Sequence, residues 1–195
     1  QVLQDGAQSL GGLYKGRPTG ANAKISTMSF HMAKIMSCVE GGMVFTHSKK
    51  LYEDIKMRRS HGENKPGDYK HNILGTNARM TDLNAGIGLA QFKKLNYFIK
   101  QRKKISHIYN KNLINLKKYI NCPIIDKDQV SGHHLYVVNF KFNKKDLRNK
   151  AIKFLYKKGI ISQVHYIPIY KFNYYKKICK GDFSGAEKYY KNSLS

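Results

Sequence analysis

A single lysine in a short turn between two apolar runs constrains the fold more than any other stretch of the chain. Residues 25–30 form a run rich in β-forming side chains, and a turn that carries Lys34 follows it. A polar connection leads to Gly41 and Gly42, which open a second apolar run at residues 43–46. Short apolar runs that end in turn residues are typical of strands. The pattern therefore predicts two neighbouring strands that flank the lysine.

The position of Lys34 gives the first indication of chemistry. A lysine held just past a strand end, among apolar and small residues, is partly desolvated, and desolvation favours the uncharged amine that can attack a carbonyl. A solvated surface lysine is the other interpretation, and it is the commoner case in a chain with 36 lysines and arginines. The neighbouring motifs decide between the two.

Other polar side chains near strand ends complete a candidate cofactor site. Asp5 ends the apolar run of residues 1–5, which is predicted to be a buried parallel strand. Gln8 follows Asp5 closely, and Ser29 precedes the lysine turn. A pyridoxal phosphate (PLP) site needs a lysine for covalent attachment, an aspartate beside the pyridinium nitrogen, and hydroxyls and amides for the phosphate and the ring oxygen. These residue types alone do not identify such a site.

Four short motifs follow one another in the order of a known family. That family reads E-D-x-A-Q, then G-x-x-x-G, then S-F-H-x-x-K, then E-G-G-M. This chain has Gln4-Asp5-Gly6-Ala7-Gln8, Gly16-Arg17-Pro18-Thr19-Gly20, residues 29–34 and residues 40–43. On these motifs the chain resembles the nucleotide-sugar aminotransferases of the DegT/DnrJ/StrS type. The resemblance continues through residues 74–83 and 163–168, so it covers nearly the whole chain.

The resemblance implies an α/β fold, the aspartate-aminotransferase-like fold type I of PLP-dependent transferases. Residues 1–95 would form the C-terminal part of the large PLP-binding domain, and residues 96–195 an incomplete small C-terminal α/β domain. Family members carry a long segment ahead of the aspartate and continue past the equivalent of Ser195. The chain is therefore interpreted as a fragment that lacks the N-terminal part and a short C-terminal tail, and it is expected to be inactive by itself.

The resemblance makes Lys34 the catalytic residue. Lys34 would hold the cofactor covalently and would move a proton between the amino-bearing carbon and the cofactor. Some members of the family carry His at this position and are dehydratases. The lysine found here therefore favours transamination.

The resemblance assigns cofactor binding to Asp5, Gln8, Ser29, Lys34 and Asn77. Asp5 would keep the pyridine nitrogen protonated, Gln8 would lie against the ring and its phenolic oxygen, and Ser29 would hydrogen-bond the phosphate. Asn77 resembles the residue that reaches the phosphate of the neighbouring subunit, which implies a homodimer with a shared active site. A strand-end aspartate, a strand serine and an ordinary turn asparagine are the structural alternatives.

Three residues are predicted to bind the substrate: His31, His165 and Tyr166. His31 is either a pocket residue or a core histidine, and S-F-H together with E-G-G favours members of the family that act at C-4 of the sugar. His165 and Tyr166 match an H-Y-x-P motif that lines the sugar pocket. By the same resemblance, Tyr170 stands where many relatives have a second His.

The net charge of +24 is the main argument for a different function. It favours a basic nucleic-acid-binding or regulatory protein. The lysines are dispersed, however, and no zinc finger, basic arm or RNA-binding aromatic motif accompanies them, so no nucleic-acid partner is predicted. His133 and His134 are interpreted as residues at the start of an edge strand, and no metal site is predicted.

The cysteines and the hydropathy favour a cytoplasmic setting with reduced thiols. The three cysteines are widely spaced and lack metal-ligand spacing: Cys38, Cys122 and Cys179. No apolar run approaches the roughly 20 residues of a membrane span, so no membrane partner is predicted.

Local patterns predict the remaining elements. Ser48 would cap a helix over residues 49–59, and Gly62 would end it. Thr81 would cap a helix that reaches residue 95. Helices are also expected over residues 96–116 and 146–158, strands over residues 135–142 and 160–166, and a functional loop over residues 60–76.

The predicted function is a PLP-dependent transaminase that converts a nucleotide-linked keto sugar to an amino sugar, with C-4 as the expected position. Glutamate is the expected amino donor, and the product would serve surface-polysaccharide or glycan precursor biosynthesis. The donor and the product class both come from the resemblance. A basic nucleic-acid-binding protein and an inactive fragment of the aminotransferase are the alternatives.

Overall fold

The computed structural model describes residues 2–142 and 146–195, and the chain divides into two compact units. The first unit comprises Gln1–Lys104 and Ile125–His134, and the second comprises Ile105–Ile124 and Leu135–Ser195. Compactness alone does not assign a role to either unit. The large and small domains expected over residues 1–95 and 96–195 therefore stay a prediction.

Helices and strands are mixed along the whole chain. In chain order the strands are β1 Leu3–Asp5, β2 Leu13–Tyr14, β3 Arg17–Pro18, β4 Ile25–Ser29, β5 Gly42–Thr46, β6 Ile120–Asn121, β7 Gln129–Val130, β8 Val138–Phe140 and β9 Ser193–Leu194. The helices are α1 Lys49–Arg59, α2 Asp82–Phe92, α3 Leu95–Asn112, α4 Leu147–Lys157 and α5 Ser184–Asn192. Short 3₁₀ turns lie at Ile114–Leu116, Ile169–Lys171 and Tyr175–Lys177. This mixture confirms the predicted α/β class.

The main sheet of the first unit has the order β1-β4-β5. β1 runs parallel to β4, and β4 runs antiparallel to β5, with Met28 opposite Met43. The parallel pairing of the first strand is confirmed, but its predicted burial is wrong, because Val2 is 69% exposed and Leu3 is 64% exposed. β1 forms one side of the three-stranded sheet, so only one of its edges is paired within it.

The core of the first unit forms behind β4. Buried Met28 and Phe30 pack with Met36 and Cys38, and three partly buried residues join them: Leu10, Met80 and Leu95. Gly6 allows close packing against this strand, because a Cβ there would lie 2.6 Å from the Thr27 carbonyl oxygen and 3.1 Å from the Met28 methyl carbon. The strand that precedes the lysine turn is thereby fixed to the rest of the unit.

Both predicted helix caps are confirmed. The Ser48 hydroxyl accepts from the Leu51 N–H over 3.4 Å at the start of α1, and the Thr81 hydroxyl accepts from the Asn84 N–H over 3.2 Å at the start of α2. α1 ends at Arg59, three residues before Gly62. α3 is shorter than expected because it ends at Asn112, and a 3₁₀ turn follows.

A second small sheet of the first unit has the order β3-β2-β7. The segment after β7 does not begin a strand at His133 and His134, as the sequence suggested, because β8 starts only at Val138. The carbonyls of both histidines instead accept from the guanidinium of Arg102 over 3.2 Å. No cluster of three metal-binding side chains occurs within the described ranges 2–142 and 146–195.

The second unit contains an antiparallel sheet of order β6-β8-β9 together with α4 and α5. The predicted helix over residues 146–158 is observed as α4, and Gly159 follows it with a φ of +77°. The strand expected over residues 135–142 is reduced to β8. The core of the unit includes Ile120 and Leu194, which are 7% and 4% exposed.

The strand predicted over residues 160–166 is wrong. None of these residues belongs to a strand, although Gln163 exchanges two backbone hydrogen bonds with Ser195. Ile160 and Ile161 are 52% and 80% exposed, so their apolar side chains do not mark a buried strand face. Among the described residues, no helix is long and apolar enough to cross a membrane.

Candidate active site

The parallel register brings Asp5 and Ser29 to one face of the main sheet. Asp5 pairs with Thr27, and the Gly6 N–H donates to the Thr27 carbonyl over 2.9 Å. Paired residues on adjacent strands share a face, and side chains two residues apart on a strand also share a face. Asp5 and Ser29 therefore lie at the carboxyl ends of parallel neighbours on the same side. This edge is where open α/β sheets bind their ligands.

The carboxylate of Asp5 is exposed and is oriented by the turn that follows it. Its Oδ1 atom accepts from the Ala7 N–H over 2.9 Å. Among the described residues, Oδ2 makes no hydrogen bond or ion pair, so this oxygen can accept from a ligand. The same turn leads to Gln8, whose side chain lines a cavity of about 310 Å³ together with residues of β2 and β7.

Ser29 and Lys34 belong to a turn that side-chain hydrogen bonds organise. The Ser29 hydroxyl accepts from the His31 N–H over 3.4 Å, and the His31 ring Nδ1 accepts from the Ala33 N–H over 3.2 Å. The Lys34 N–H then donates to the His31 carbonyl over 2.9 Å. Lys34 is half-buried.

The loop that carries the lysine is closed at its base. The Phe30 N–H donates to the Gly41 carbonyl over 2.8 Å, and the Cys38 N–H donates to the Phe30 carbonyl over 2.9 Å. A Cβ on Gly41 would overlap the Cys38 sulfur and lie 2.7 Å from the methyl carbon of Met80. The glycine is therefore required by close packing, a reason that the sequence pattern alone did not reveal.

His31 is not a core histidine. Its side chain is 44% exposed, and its Nε2 atom lies 3.5 Å from the Glu40 carboxylate. The carbonyl of Glu40 accepts from the Asn84 side chain over 2.8 Å, which ties the loop to α2. Sequence reasoning considered Glu40 only as part of the E-G-G-M motif and missed its pairing with His31. The substrate-binding role of His31 stays a prediction.

The thiol of Cys38 is packed inside this loop. Cys38 is fully buried, and its sulfur lies 3.4 Å from the Glu40 carbonyl. Burial is the main cause that raises the pKa of this thiol above its ordinary value. A thiol of this kind is structural, because the reactive thiolate is disfavoured.

Asn77 lies in an exposed loop that backbone hydrogen bonds hold to the end of α1. Asn77 pairs with Ser60 in an isolated bridge, and the Thr76 N–H donates to the Arg58 carbonyl over 2.8 Å. The Asn77 Oδ1 atom accepts from the Arg79 N–H over 3.4 Å. This is the local turn geometry expected of an ordinary loop asparagine. The role across a dimer interface stays a prediction.

His165 and Tyr166 lie in the second unit. Their rings pack edge to face with centroids 4.8 Å apart, and Tyr166 is 66% exposed. The Nδ1 atom of His165 is buried and has no hydrogen-bond partner in the described part of the chain. Tyr170, four residues further on, is bound to Glu187 through its hydroxyl over 3.0 Å.

Comparison with known proteins identifies the family. The profile of the DegT/DnrJ/EryC1/StrS aminotransferase family matches residues 1–195. The chain belongs to this family. It is 34% identical to the UDP-4-amino-4,6-dideoxy-N-acetyl-beta-L-altrosamine transaminase of Campylobacter jejuni (serotype O:23/36), over 100% of this chain and 52% of that protein.

Solved aminotransferases have the same fold. The chain superposes on Helicobacter pylori PseC, an aminotransferase of pseudoaminic acid biosynthesis, with a TM-score of 0.90 at 29% identity, over 99% of this chain and 53% of that one. The PLP form of the putative sugar aminotransferase Spr1654 of Streptococcus pneumoniae gives a TM-score of 0.88 at 27% identity, over 98% and 51%. These matches confirm the predicted fold type I class. The chain spans about half the length of the relatives it matches.

The family motifs therefore locate the site residues on defined elements. Asp5 and Ser29 share a face and an edge, whereas Gln8 and Lys34 lie in the turns that follow their strands. The convergence of these four side chains around one ring stays a prediction, as does the role of each residue. Sequence reasoning also missed the contact between Tyr170 and Glu187, because the two residues lie 17 positions apart and leave no local pattern.

Proposed function

We propose that the whole protein is a PLP-dependent aminotransferase that makes an amino sugar from a nucleotide-linked keto sugar. The observation that carries the proposal is the position of Asp5 and Ser29 on one face at the carboxyl edge of the sheet, with Lys34 in the turn that follows β4. The family of the chain and the relatives named above support it.

The residues at this edge fit PLP. The Oδ2 atom of Asp5 makes no hydrogen bond or ion pair among the described residues and can accept from a protonated ring nitrogen. The Ser29 hydroxyl accepts from the His31 N–H, so its own proton can be donated to a phosphate oxygen. Gln8 would lie against the ring. When bound, PLP would act as an electron sink that withdraws electrons from the carbon that carries the amino group.

Lys34 has two tasks in this proposal. Its amine binds the cofactor covalently, and in its free form Nζ takes a proton from the amino-bearing carbon and returns it to the cofactor. A group that transfers a proton must be held within hydrogen-bond reach of both atoms. The closed base of the loop supports this, because the hydrogen bonds of Phe30 and Cys38 restrict where the turn can lie.

The substrates are anionic, and the site is proposed to bind a nucleotide sugar and glutamate in turn. His31, His165 and Tyr166 would contact the sugar. Amination at C-4 is supported by the motif that contains His31 and by the name of the Campylobacter jejuni relative, which is a 4-amino sugar transaminase. The product would enter surface-polysaccharide or glycan precursor biosynthesis.

We further propose a cytoplasmic homodimer with a shared site. Asn77 of one subunit would bind the phosphate held by its neighbour, and the exposure of Asn77 is compatible with this role. Sedimentation of the whole protein and, separately, of its Asn77→Ala variant tests the oligomeric state. The variant is expected to stay dimeric and to bind PLP more weakly, whereas a monomeric wild-type protein would overturn this part.

The test of the main proposal is spectroscopic. The whole protein is titrated with PLP, and the visible band of the bound cofactor should appear and then disappear on addition of L-glutamate. Lys34→Ala should abolish the band and the transamination of a nucleotide-linked keto sugar. Lys100→Ala, a change of an exposed lysine on α3, is the matched control and should behave as the wild type.

Two outcomes would contradict the proposal. A Lys34→Ala protein that keeps the band and the activity would exclude Lys34 as the attachment site. A wild-type protein without a band that instead binds nucleic acid, with an affinity that falls steeply with salt, would favour the alternative suggested by the charge of +24.

A further inference from the structure

The segment that carries His165 and Tyr166 is attached at both ends to the C-terminal elements of the second unit. We propose that Glu187 is a positioning residue that holds this segment and thereby fixes the two rings for the nucleotide sugar. The proposal rests on the proposed function, because it assumes that His165 and Tyr166 contact the substrate.

The first attachment joins Gln163 to Ser195. The Gln163 N–H donates to the Ser195 carbonyl over 2.7 Å, and the Ser195 N–H donates back over 2.9 Å. The Ser195 hydroxyl also donates to the Gln163 carbonyl over 3.4 Å. Reciprocal bonds of this kind are the pattern of an antiparallel pair, so the backbone just before His165 is fixed.

The second attachment joins the 3₁₀ turn Ile169–Lys171 to α5 through one carboxylate oxygen. The Oε1 atom of Glu187 accepts from the Tyr170 hydroxyl over 3.0 Å and from the Lys171 ammonium over 2.6 Å. The Tyr170 ring also stacks on the Phe183 ring, with centroids 4.1 Å apart and planes 8° apart. Two consecutive residues of the segment are therefore held by the same side chain.

The charges around Glu187 keep it in the form that makes both contacts. Lys171 is the main cause that lowers the pKa of Glu187, and Lys191 contributes from 3.8 Å. The Lys171 ammonium lies 5.0 Å from the centre of the Tyr190 ring, and the Arg148 guanidinium lies 4.7 Å from it. The Glu187 carboxylate thus lies close to the cationic side chains of Lys171 and Lys191. A neutral residue at this position would leave Lys171 without its counter-charge.

The two attachments leave His165 and Tyr166 between them on a short tether. Only six residues separate Gln163 from Tyr170, so fixing both ends restricts the rings to a small set of positions. The edge-to-face contact of the two rings restricts them further. A binding surface that is ordered before the ligand arrives loses less entropy on binding, which improves affinity. Loss of the Glu187 attachment should therefore weaken substrate binding and leave the cofactor in place.

Tyr170 holds the segment through two separate contacts. Its ring stacks on Phe183, and its hydroxyl donates to Glu187. Replacement of the hydroxyl alone separates the two contributions, because Tyr170→Phe keeps the stacked ring.

The test uses the whole protein and two variants, Glu187→Gln and Tyr170→Phe. Glu187→Gln keeps an acceptor for Tyr170 but removes the charge that binds Lys171. We expect KM for the nucleotide sugar to rise about tenfold in Glu187→Gln, comparable to the loss of one hydrogen bond to a charged group, with kcat almost unchanged. Tyr170→Phe should raise KM only about threefold, because the stacking on Phe183 and the contact of Lys171 with Glu187 both remain. Amide exchange of residues 163–171 should accelerate in both.

Asp146→Asn is the matched control. It changes the charge of the same unit by the same amount, and Asp146 makes no side-chain cap bond to α4. Its backbone is left-handed with a φ of +60°, a conformation that asparagine tolerates. The control should leave KM, kcat and the exchange of residues 163–171 unchanged.

The outcomes separate this inference from the proposed function. A wild-type protein without a cofactor band and without transamination would contradict the proposed function and, with it, the inference. An active wild-type protein whose Glu187→Gln variant matches Asp146→Asn in KM and in amide exchange would overturn the inference alone. A Glu187→Gln variant that loses kcat and cofactor loading together, with faster exchange throughout the second unit, would also overturn it, because Glu187 would then act only on stability.

Discussion

The two rows of side chains on β4 meet different surroundings. Ser26 and Met28 point to one side and are buried, whereas Ile25, Thr27 and Ser29 point to the other side and are only half-buried. The buried row contacts the packed core and the Gly20 carbonyl, which accepts from the Ser26 hydroxyl over 3.1 Å. The half-buried row continues into the face that carries the candidate site.

On this single strand, the residues that stabilise the fold are therefore different from those that face the candidate site. A residue of the buried row is surrounded by side chains that collapse only partly when it is shortened, so its loss mainly affects folding. A residue of the other row touches fewer side chains and can be changed at little cost in stability, but it lies beside the proposed reaction. The comparison can be tested by changing Met28 of the buried row and Asp5 of β1, which lies on the same face of the sheet as the half-buried row, each next to a matched control.

The largest effect is expected from Asp5→Asn on the half-buried side. The amide keeps an acceptor for the Ala7 N–H but cannot hold a ring nitrogen protonated, so kcat/KM of the whole protein should fall by about 10²- to 10³-fold, the usual range for one lost electrostatic contact at a reaction centre. The free energy of unfolding should change by less than about 0.5 kcal/mol, because Asp5 is exposed. Steady-state kinetics and urea unfolding measure the two quantities.

Asp68→Asn is the control for this prediction. Asp68 makes the same local turn, in which Oδ1 accepts from the Lys70 N–H over 2.9 Å, and it is also exposed. Its replacement should leave both quantities unchanged. Equal losses of activity in the two variants would show that a general charge effect, and not the position of Asp5, is responsible.

A smaller effect, on stability, is expected from Met28→Ala on the buried side. Met28 is 7% exposed and lies in the core, so the variant should lose about 2–5 kcal/mol of the free energy of unfolding. Met43 pairs with Met28 on β5 but is 47% exposed, and Met43→Ala should cost less than about 1 kcal/mol. Urea unfolding of both variants compares them directly. Equal costs would contradict the contrast, because they would mean that Met43 is as well covered as Met28.

The sequence predicted the elements whose signals are local. Both caps, at Ser48 and Thr81, depend on one hydroxyl and one backbone N–H three residues away, and the structure contains both. The prediction of a strand over residues 160–166 was wrong because a run of exposed apolar residues has the same sequence pattern as a strand. The sequence does not show whether a partner strand lies beside it. The buried side of β4 could not be read from hydrophobicity either, since Ser26 is buried and Ile25 is not.

The candidate site was predicted from the family motifs and not from the periodicity of apolar residues. The order of the motifs identified the family, but no pattern within residues 29–34 reveals which side chains share a face. That information lies in the register between β1 and β4. Contacts such as Tyr170 with Glu187 join residues far apart in sequence and become visible only in the fold. Long-range pairing is therefore what separates the sequence-level prediction from the structure.

The smallest effect concerns Cys38, the most deeply buried member of the core behind β4. Burial is the main cause that raises its pKa in the folded protein above the ordinary value of an exposed thiol. The unfolded chain therefore binds fewer protons than the folded one at alkaline pH, and stability is complete below about pH 9 and declines as the pH rises towards the folded-state pKa. Cys38→Ala removes this titration, so the difference in unfolding free energy between wild type and variant should shrink as the pH rises above about 9. Urea unfolding from pH 7 to 10 measures it, with Cys179→Ala as the control for loss of a thiol outside this core. A difference that stays constant over this range would contradict the prediction, because it would mean that the buried thiol ionises as easily in the folded protein as in the unfolded chain.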